Sequence, residues 1–291
     1  MASTAAASQT PSVEGITLRG RDFFWGKQTY LMGVLNITPD SFSDGGRFNT
    51  LDAALQQARH MANSGADILD IGGQSTRPQA EDVPLEEELR RVVPIIDALR
   101  RNGDTTPISV DTTKAEVARA AVAAGADLVN DISGATFDPA MLPTVAELGV
   151  PIVLMHLRGT PKTMQQLTDY QNLIADIAEF LTDRAAAAIA AGIAPKHVIL
   201  DPGIGFAKTF AQNLEILRHL PQLHHLGWPL LVGPSRKSFI GHILNQPDPQ
   251  QRVWGTAATC CAAIQGGADI LRVHDVAEMR DVCKVADAIW R

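Results

Sequence analysis

The chain has 291 residues, 45% of them hydrophobic and 20% charged, which is a globular composition able to bury a full core. Lys plus Arg is 25 and Asp plus Glu is 32, a net charge of −7 that argues against a dedicated nucleic-acid binder, although a local anion site remains compatible with it. Three cysteines, two of them adjacent (Cys260, Cys261), match neither a disulfide framework nor a zinc spacing, so a cytoplasmic protein is expected. No apolar run approaches the roughly 20 residues of a membrane span, and no membrane partner is expected.

Residues 1–15 read as a disordered N-terminal tail. The stretch to Ser12 is rich in Ala, Ser and Thr, with no early Lys or Arg and no long apolar run, unlike a signal peptide. From there short apolar runs alternate with longer amphipathic ones. Strands are expected at 30–37, 67–72, 108–111, 128–132, 152–156, 198–201, 230–233 and 270–273. Each is rich in Val, Ile and Leu without clean alternation, as in strands covered on both faces of a parallel sheet. Helices are expected at 51–64, 86–101, 114–124, 138–148, 170–191, 214–220, 251–265 and 276–290. Eight strand–helix units with no long linker predict an α/β fold, a single-domain (β/α)8 TIM barrel over residues 16–291. An open doubly wound sheet is the rival, but its G-x-G-x-x-G fingerprint is missing: Gly203 and Gly205 are followed by Lys208. No P-loop is present either.

A Gly-Ala-Asp phrase recurs at Gly65-Ala66-Asp67, Gly125-Ala126-Asp127 and Gly267-Ala268-Asp269, each time before an apolar run. It reads as a helix C-cap glycine leading into a strand.

A barrel carries its chemistry at the C-terminal ends of its strands. Here those ends offer Asn36; Gln74, Ser75, Thr76 and Arg77; Asp111; Asn130 and Asp131; His156; Asp201; Ser235, Arg236 and Lys237; and Arg272 with His274. One such residue is more often a cap or a turn former, but eight converging ends are not. Asp111, Asn130 and Asp201 supply acceptors for a flat ligand with amino and amide donors. Arg77, Arg236, Lys237, Arg272 and His274 supply donors for phosphate, which Arg binds bidentately. The combination suits a heterocycle carrying a phosphate ester. The plainer readings are Asp111 as the N-cap of the helix near Lys114, Arg77 as a surface loop residue, His156 as a satisfied barrel histidine, His224-His225 as surface loop and the cysteines as packing.

The run LMGVLNITPDSFSDGG at 31–46 resembles the opening signature of the dihydropteroate synthase family, and DIGGQSTRP at 70–78 resembles its second signature. SVDT at 109–112, VNDISG at 129–134, DPGIGF at 201–206, GPSRKSF at 233–239 and RVHDV at 272–276 follow in family order, so the resemblance covers about 29–288. It implies joining of p-aminobenzoate to 6-hydroxymethyl-7,8-dihydropterin pyrophosphate in folate biosynthesis, by an SN1-like C–O cleavage in a homodimer. The implied pterin contacts are Asp111, Asn130, Met155, Asp201, Phe206 and Lys237. Those of pyrophosphate are Asn36, Thr76, Arg77, Arg272 and His274, with Asn36 also a ligand of Mg²⁺. Phe42, Pro78 and Ser235 fall to p-aminobenzoate, at which site a sulfonamide is expected to compete. Asp111, Asp44, Lys237 and Arg77 are the implied catalytic groups.

Two positions depart from the family pattern: Gln74 stands where Glu is usual, expected near the pyrophosphate, and Ala207 where Gly is common. A pterin-dependent methyltransferase and a non-catalytic pterin-binding paralogue are the rival readings. The segment before Thr29 is expected to add a hairpin under the barrel through 16–18 and 21–25, and the dimer surface to use the later helices.

Overall fold

The computed structural model describes residues 14–37, 47–75 and 82–291, with the backbone only at 47–50. A hairpin of β1 (Ile16–Leu18) and β2 (Arg21–Phe23) comes first. The strands β3 (Tyr30–Asn36), β4 (Ile68–Gly72), β5 (Ile108–Asp111), β6 (Leu128–Asp131), β7 (Ile152–Met155), β8 (Val198–Asp201), β9 (Leu231–Val232) and β10 (Ile270–Val273) then form one eight-stranded parallel sheet. Its order is β8-β7-β6-β5-β4-β3-β10-β9, and a parallel bridge between Leu200 and Leu230 joins its ends. The result is a single α/β barrel. The helices α1 (Arg47–Asn63), α2 (Leu85–Arg101), α3 (Ala115–Ala124), α4 (Met141–Leu148), α5 (Leu173–Ala190), α6 (Phe210–His224), α7 (Ser238–Leu244), α8 (Val253–Gln265) and α9 (Val276–Trp290) fill the connections. No described helix is long and apolar enough to cross a membrane.

Successive strand residues face opposite sides, and this sets the depth of everything inside. Outward residues such as Leu69, Ile71, Val110, Val129, Leu154 and Leu200 pack under the helices in one large core. Inward residues Ile68, Leu128, Ile199 and Ile270 form the floor with Met32, Val153 and Leu231. Two residues further along the same four strands come Asp70, Asn130, Asp201 and Arg272. A polar layer therefore rests directly on an apolar one. The hairpin seals the opposite end: Ile16, Leu18, Phe23 and Tyr30 join the floor cluster, and Trp25 packs against it.

The Gly-Ala-Asp repeats explain how the strands are aligned. Gly65, Gly125 and Gly267 have φ of +101°, +114° and +96°, a region costly for any side chain. Each repeat's aspartate then clamps the start of the preceding strand. Asp67 accepts from Leu31 N–H at 2.8 Å, Asp127 from Ile108 N–H at 2.9 Å and Asp269 from Leu230 N–H at 3.1 Å. Arginines close the clamps: Arg280 reaches Asp67, and both Arg100 and Arg19 reach Asp127. Arg19 ties the hairpin to the barrel in this way.

Several boundaries differ from the sequence-based expectation. The second hairpin strand ends at Phe23, not 25, because the chain turns at Gly26 with φ +73°. α6 is longer than 214–220: Thr209 and Gln212 form a capping box, and the helix runs through Pro221. His224 therefore ends this helix, with His225 as its C-cap, and the pair is not a loop. α5 starts at Leu173 because Asn172 caps it, accepting from Ala175 N–H at 3.2 Å. α4 starts at Met141, since Asp138 turns its side chain to Ala115 N–H and Ala140 N–H. α7 was not expected at all. The tail expected at 1–15 lies, up to residue 13, outside the described residues.

The clamp at Asp127 yields a stability test. Its side chain is 11% exposed and that of Arg100 is 12% exposed. Asp127→Ala should cost about 3 kcal/mol, since it strands a mostly buried guanidinium and a strand N–H. Asp97→Ala, which breaks the solvent-facing pair with Arg101, should stay within about 0.5 kcal/mol. Denaturant unfolding of both variants measures the difference, and equal costs would refute the clamp.

Candidate active site

The polar layer converges on one guanidinium. Arg272, inward on β10, donates through Nε to Asp70 at 2.6 Å and through Nη2 to Asp111 at 2.6 Å. Asp70 is 0% exposed and also accepts from Asn130 Nδ2 at 3.3 Å. Four strands, β10, β4, β5 and β6, are thus joined across the interior. Burial alone would depress the guanidinium, but Asp70 and Asp111 outweigh that and hold it charged. Burial pushes the Asp111 carboxyl up, Arg272 pulls it back, and Asp70, Glu88 and Asp131 add to the rise. Asp111 is not a helix cap: the Ala115 N–H of α3 goes to Asp138 at 2.8 Å.

Opposite this group lies an apolar wall. Met155 and Phe206 cluster with Ile132, Leu157, Met164 and Ala207. The Lys237 ammonium stands 4.1 Å above the Phe206 ring centroid, a cation–π contact at the pocket wall. Burial draws this lysine down to about 8 and Arg272 adds to the fall, against the pull of Asp201 and Asp111. Asp201 is 5% exposed and accepts from Gly203 N–H at 2.7 Å. Burial pushes it up to about 6, although Gly203 N–H, Lys237, Lys208 and Arg272 all oppose the rise. Acceptors, a stackable ring and a donor ammonium therefore gather at the C-terminal ends of the strands.

At the mouth, Asn36 ends β3 half-buried. His274 follows β10 and meets Ser235: its N–H donates to the Ser235 Oγ at 3.2 Å, and its Nδ1 lies 3.0 Å from the same oxygen. Burial, reinforced by Arg272 and Arg236, draws His274 down to about 3, so its imidazole is neutral. The Ser235 expected near p-aminobenzoate is thus in contact with a residue expected at pyrophosphate.

Of the expected site residues, Asp111, Asn130, Met155, Asp201, Phe206, Lys237 and Arg272 line this interior, with Asn36, Ser235 and His274 at its mouth. Phe42, Asp44, Thr76, Arg77 and Pro78 lie outside the described residues. Arg236 has a partner that its sequence position does not show: its guanidinium pairs with Asp275 through Nε and Nη2. Gln74 has a definite partner, accepting from Lys114 Nζ at 3.0 Å, while Lys114 also pairs with the buried Glu88 at 2.5 Å. His156 is the satisfied barrel histidine, with Nδ1 3.0 Å from Lys208 Nζ. The residue missed was Asp70. It sat inside a quoted signature without a role, and strand parity, two positions before Gly72 on the inward face, was the signal.

The Arg272 bridge carries a pH signature. The native Asp111 carboxyl sits above its ordinary 3.8, so the native state holds a proton that the unfolded chain releases. Stability therefore falls as pH rises from 3.8 towards the raised native value. Arg272→Ala removes the cation opposing this and leaves two buried carboxylates uncompensated. The cost should be about 3 kcal/mol near pH 8 and clearly smaller near pH 5. Denaturant unfolding at both pH values checks this; a cost independent of pH would contradict it.

A family model described as pterin binding enzyme matches residues 32–274. The dihydropteroate synthase of Synechocystis sp. is 64% identical over 269 residues, covering 92% of this chain and 93% of that protein. Xanthomonas albilineans dihydropteroate synthase with 4-aminobenzoic acid superposes with a TM-score of 0.88 at 45% identity, covering 95% of this chain and 98% of that one. The same enzyme in complex with 7,8-dihydropteroate gives a TM-score of 0.85 at 44% identity, covering 94% and 98%. With its signatures, its barrel and its polar interior in agreement, the chain belongs to the pterin binding enzyme family, among the dihydropteroate synthases.

Proposed function

We propose that this chain condenses 6-hydroxymethyl-7,8-dihydropterin pyrophosphate with p-aminobenzoate, releasing 7,8-dihydropteroate and pyrophosphate. The observation that carries this reading is the interior itself. Asp201, Asn130 and Asp111 offer acceptors beside the Phe206 ring, while Arg272 in the same layer and His274 at the mouth offer donors. The aminopyrimidine edge of the pterin donates to Asp201, and Lys237 donates to its carbonyl and ring nitrogen. Phe206 and Met155 wall the ring.

The C–O bond of the exocyclic CH₂ breaks, and its electron pair leaves with pyrophosphate. The cation that remains is delocalised into the dihydropterin ring, where the Asp111 carboxylate is placed to stabilise it. The p-aminobenzoate nitrogen then supplies its lone pair to the CH₂, forms the C–N bond and releases a proton. Arg272 uses Nε and Nη2 on Asp70 and Asp111, which leaves its Nη1 end for the leaving oxygens. His274 faces Ser235 through Nδ1, which leaves Nε2 for the same anion. Arg77 and Thr76 extend this cradle, Phe42, Pro78 and Ser235 receive p-aminobenzoate, and Asp44 serves the incoming amine.

The amide oxygen of Asn36 is a hard donor suited to Mg²⁺. No cluster of three or more His, Cys, Asp or Glu able to hold a metal occurs among the described residues. Mg²⁺ at Asn36 would take its other ligands from pyrophosphate and water, and when bound it would neutralise charge on the leaving group.

The purified protein, supplied with the pterin pyrophosphate, p-aminobenzoate and Mg²⁺, should form dihydropteroate; no product while the pterin demonstrably binds would sink this reading. Arg272→Ala should weaken inorganic pyrophosphate by about tenfold or more, and 6-hydroxymethylpterin by much less. Equal losses by calorimetry would refute the assignment of Arg272.

We also propose a cytoplasmic homodimer. The described cysteines are all free thiols, as suits a reducing compartment. Trp254 is 79% exposed on α8, with Ile243 and Leu244 exposed on α7 and Val285 and Ile289 on α9. Apolar exposure of this kind on neighbouring helices suits a second copy of the chain. Trp254→Asp should convert the dimer to a monomer in sedimentation velocity, whereas an unchanged mass would exclude this face.

A further inference from the structure

Lys208 is a buried cation that the proposed chemistry leaves unused. It lies in the β8–α6 connection and is 2% exposed. Its ammonium donates to the Phe206 carbonyl oxygen at 2.8 Å and lies 3.0 Å from His156 Nδ1. Among the described residues no carboxylate comes within the 4.0 Å of an ion pair. Lysine is almost never buried this fully without a countercharge, so the position calls for a physical reason.

The surroundings supply one. His156 directly follows β7, and burial draws its imidazole down to about 2, with Lys208 and Arg158 acting in the same direction. The ring is therefore neutral, and its Nδ1 can accept from the ammonium. Gly203 wraps the same ammonium so closely that a Cβ there would collide with the His156 carbonyl oxygen and sit 3.2 Å from Lys208 Nζ. One side chain thus ties the loop 202–208 to the end of the neighbouring strand. That loop carries Phe206, and it follows directly on Asp201, the last residue of β8.

Lys208 also differs from Lys237 in its access. Lys237 is half-buried and stands over the Phe206 ring. Lys208 is sealed behind the loop. The charged groups around it are Asp201, Lys237 and Arg158. Those around Asp201 are Lys237 from the β9–α7 connection, Lys208, and Arg272 from β10, with the Gly203 N–H from its own loop. Burial draws Lys208 down to about 7, and Asp201 opposes the fall. The ammonium is therefore charged near pH 6, where Asp201 titrates.

We propose that Lys208 is a positioning residue of the ring pocket: it locks Phe206 and the 202–208 loop against β7, and it supplies Asp201 with a countercharge that no ligand touches. This rests on the pterin pocket proposed above. Its consequence is specific to the ring, because pyrophosphate is held on the other side of the cavity.

Calorimetry with 6-hydroxymethylpterin, and separately with inorganic pyrophosphate, tests the wild-type protein against Lys208→Met and Lys208→Gln between about pH 5 and pH 8. Lys208→Met should bind the pterin about tenfold more weakly and pyrophosphate within about twofold of wild type. Lys208→Gln keeps an N–H for the Phe206 carbonyl but no charge. It should regain much of the pterin affinity near pH 8, yet lose it on acidification about half a unit to one unit earlier than wild type. The sign follows from the removal of a cation, which raises Asp201 and costs the carboxylate that accepts from the pterin. Retained pyrophosphate binding reports that each variant is folded; should the Met variant not fold, the pH limb of the Gln variant decides. Wild-type pterin affinity with an unmoved limb in the variants overturns the role of Lys208, as does a parallel loss of both ligands. A wild-type protein that binds no pterin overturns the pocket reading itself.

Discussion

The interior is organised by a single guanidinium held between two carboxylates. Each partner alone would be costly to bury, and removing any one strands the others. Arg272 meets Asp70 and Asp111 at 2.6 Å each, and Asn130 adds its amide to Asp70. Two carboxylates against one guanidinium leave excess negative charge on this side of the cavity. Asp201 adds to it, while Lys237 and Lys208 offset it from the far side. The pocket is polarised across its width, and a flat ring with donors on one edge and acceptors on another matches that polarity.

Its depth comes from parity. Ile68, Leu128, Ile199 and Ile270 lie two residues before Asp70, Asn130, Asp201 and Arg272 on the same four strands. In the proposed binding mode the ligand descends to the polar layer and stops at the apolar one, because the floor offers its polar edges no partners. At the other end of the barrel aspartates do a different task. Asp67, Asp127 and Asp269 spend their oxygens on strand N–H groups and arginines, which fixes register. The same residue type therefore serves alignment at the N-terminal ends and, in the proposed function, ligand recognition at the C-terminal ends. What separates the two is whether the acceptor's partners are already supplied by the chain.

Much of this was legible in the sequence. The eight units, the strand positions and the seven signatures were all readable, because buried parallel strands and their polar ends leave local traces. What was not legible depends on partners distant along the chain. Nothing near Arg236 in the sequence shows that its guanidinium is held by Asp275, 39 residues away. Asp70 looks like part of a strand until Arg272, 202 residues away, meets it. Gln74 was expected to bear on charge near pyrophosphate, but the fold gives it Lys114, itself committed to Glu88. Pro221 reads as a helix stop, yet the packing of Leu217, Leu220 and Leu223 carries α6 past it. α7 escaped notice because seven residues after a Pro-Ser-Arg-Lys turn carry too few turns to show a period.

The charge balance also shapes how an anion is held. The chain as a whole carries −7, and even inside the pocket Arg272 is already compensated by Asp70 and Asp111. Its neighbour His274 is drawn down to about 3 and contributes no cation. A pyrophosphate group at this mouth thus meets oriented donors more than a net positive field. Oriented donors gain strength as charge develops on the bond they face, whereas a bare field would bind substrate and leaving group alike. In the proposed reaction the negative charge on pyrophosphate grows only as the C–O bond breaks. A compensated guanidinium beside a neutral imidazole is therefore suited to a leaving group, and the carboxylates that compensate it are the ones that face the cation left behind.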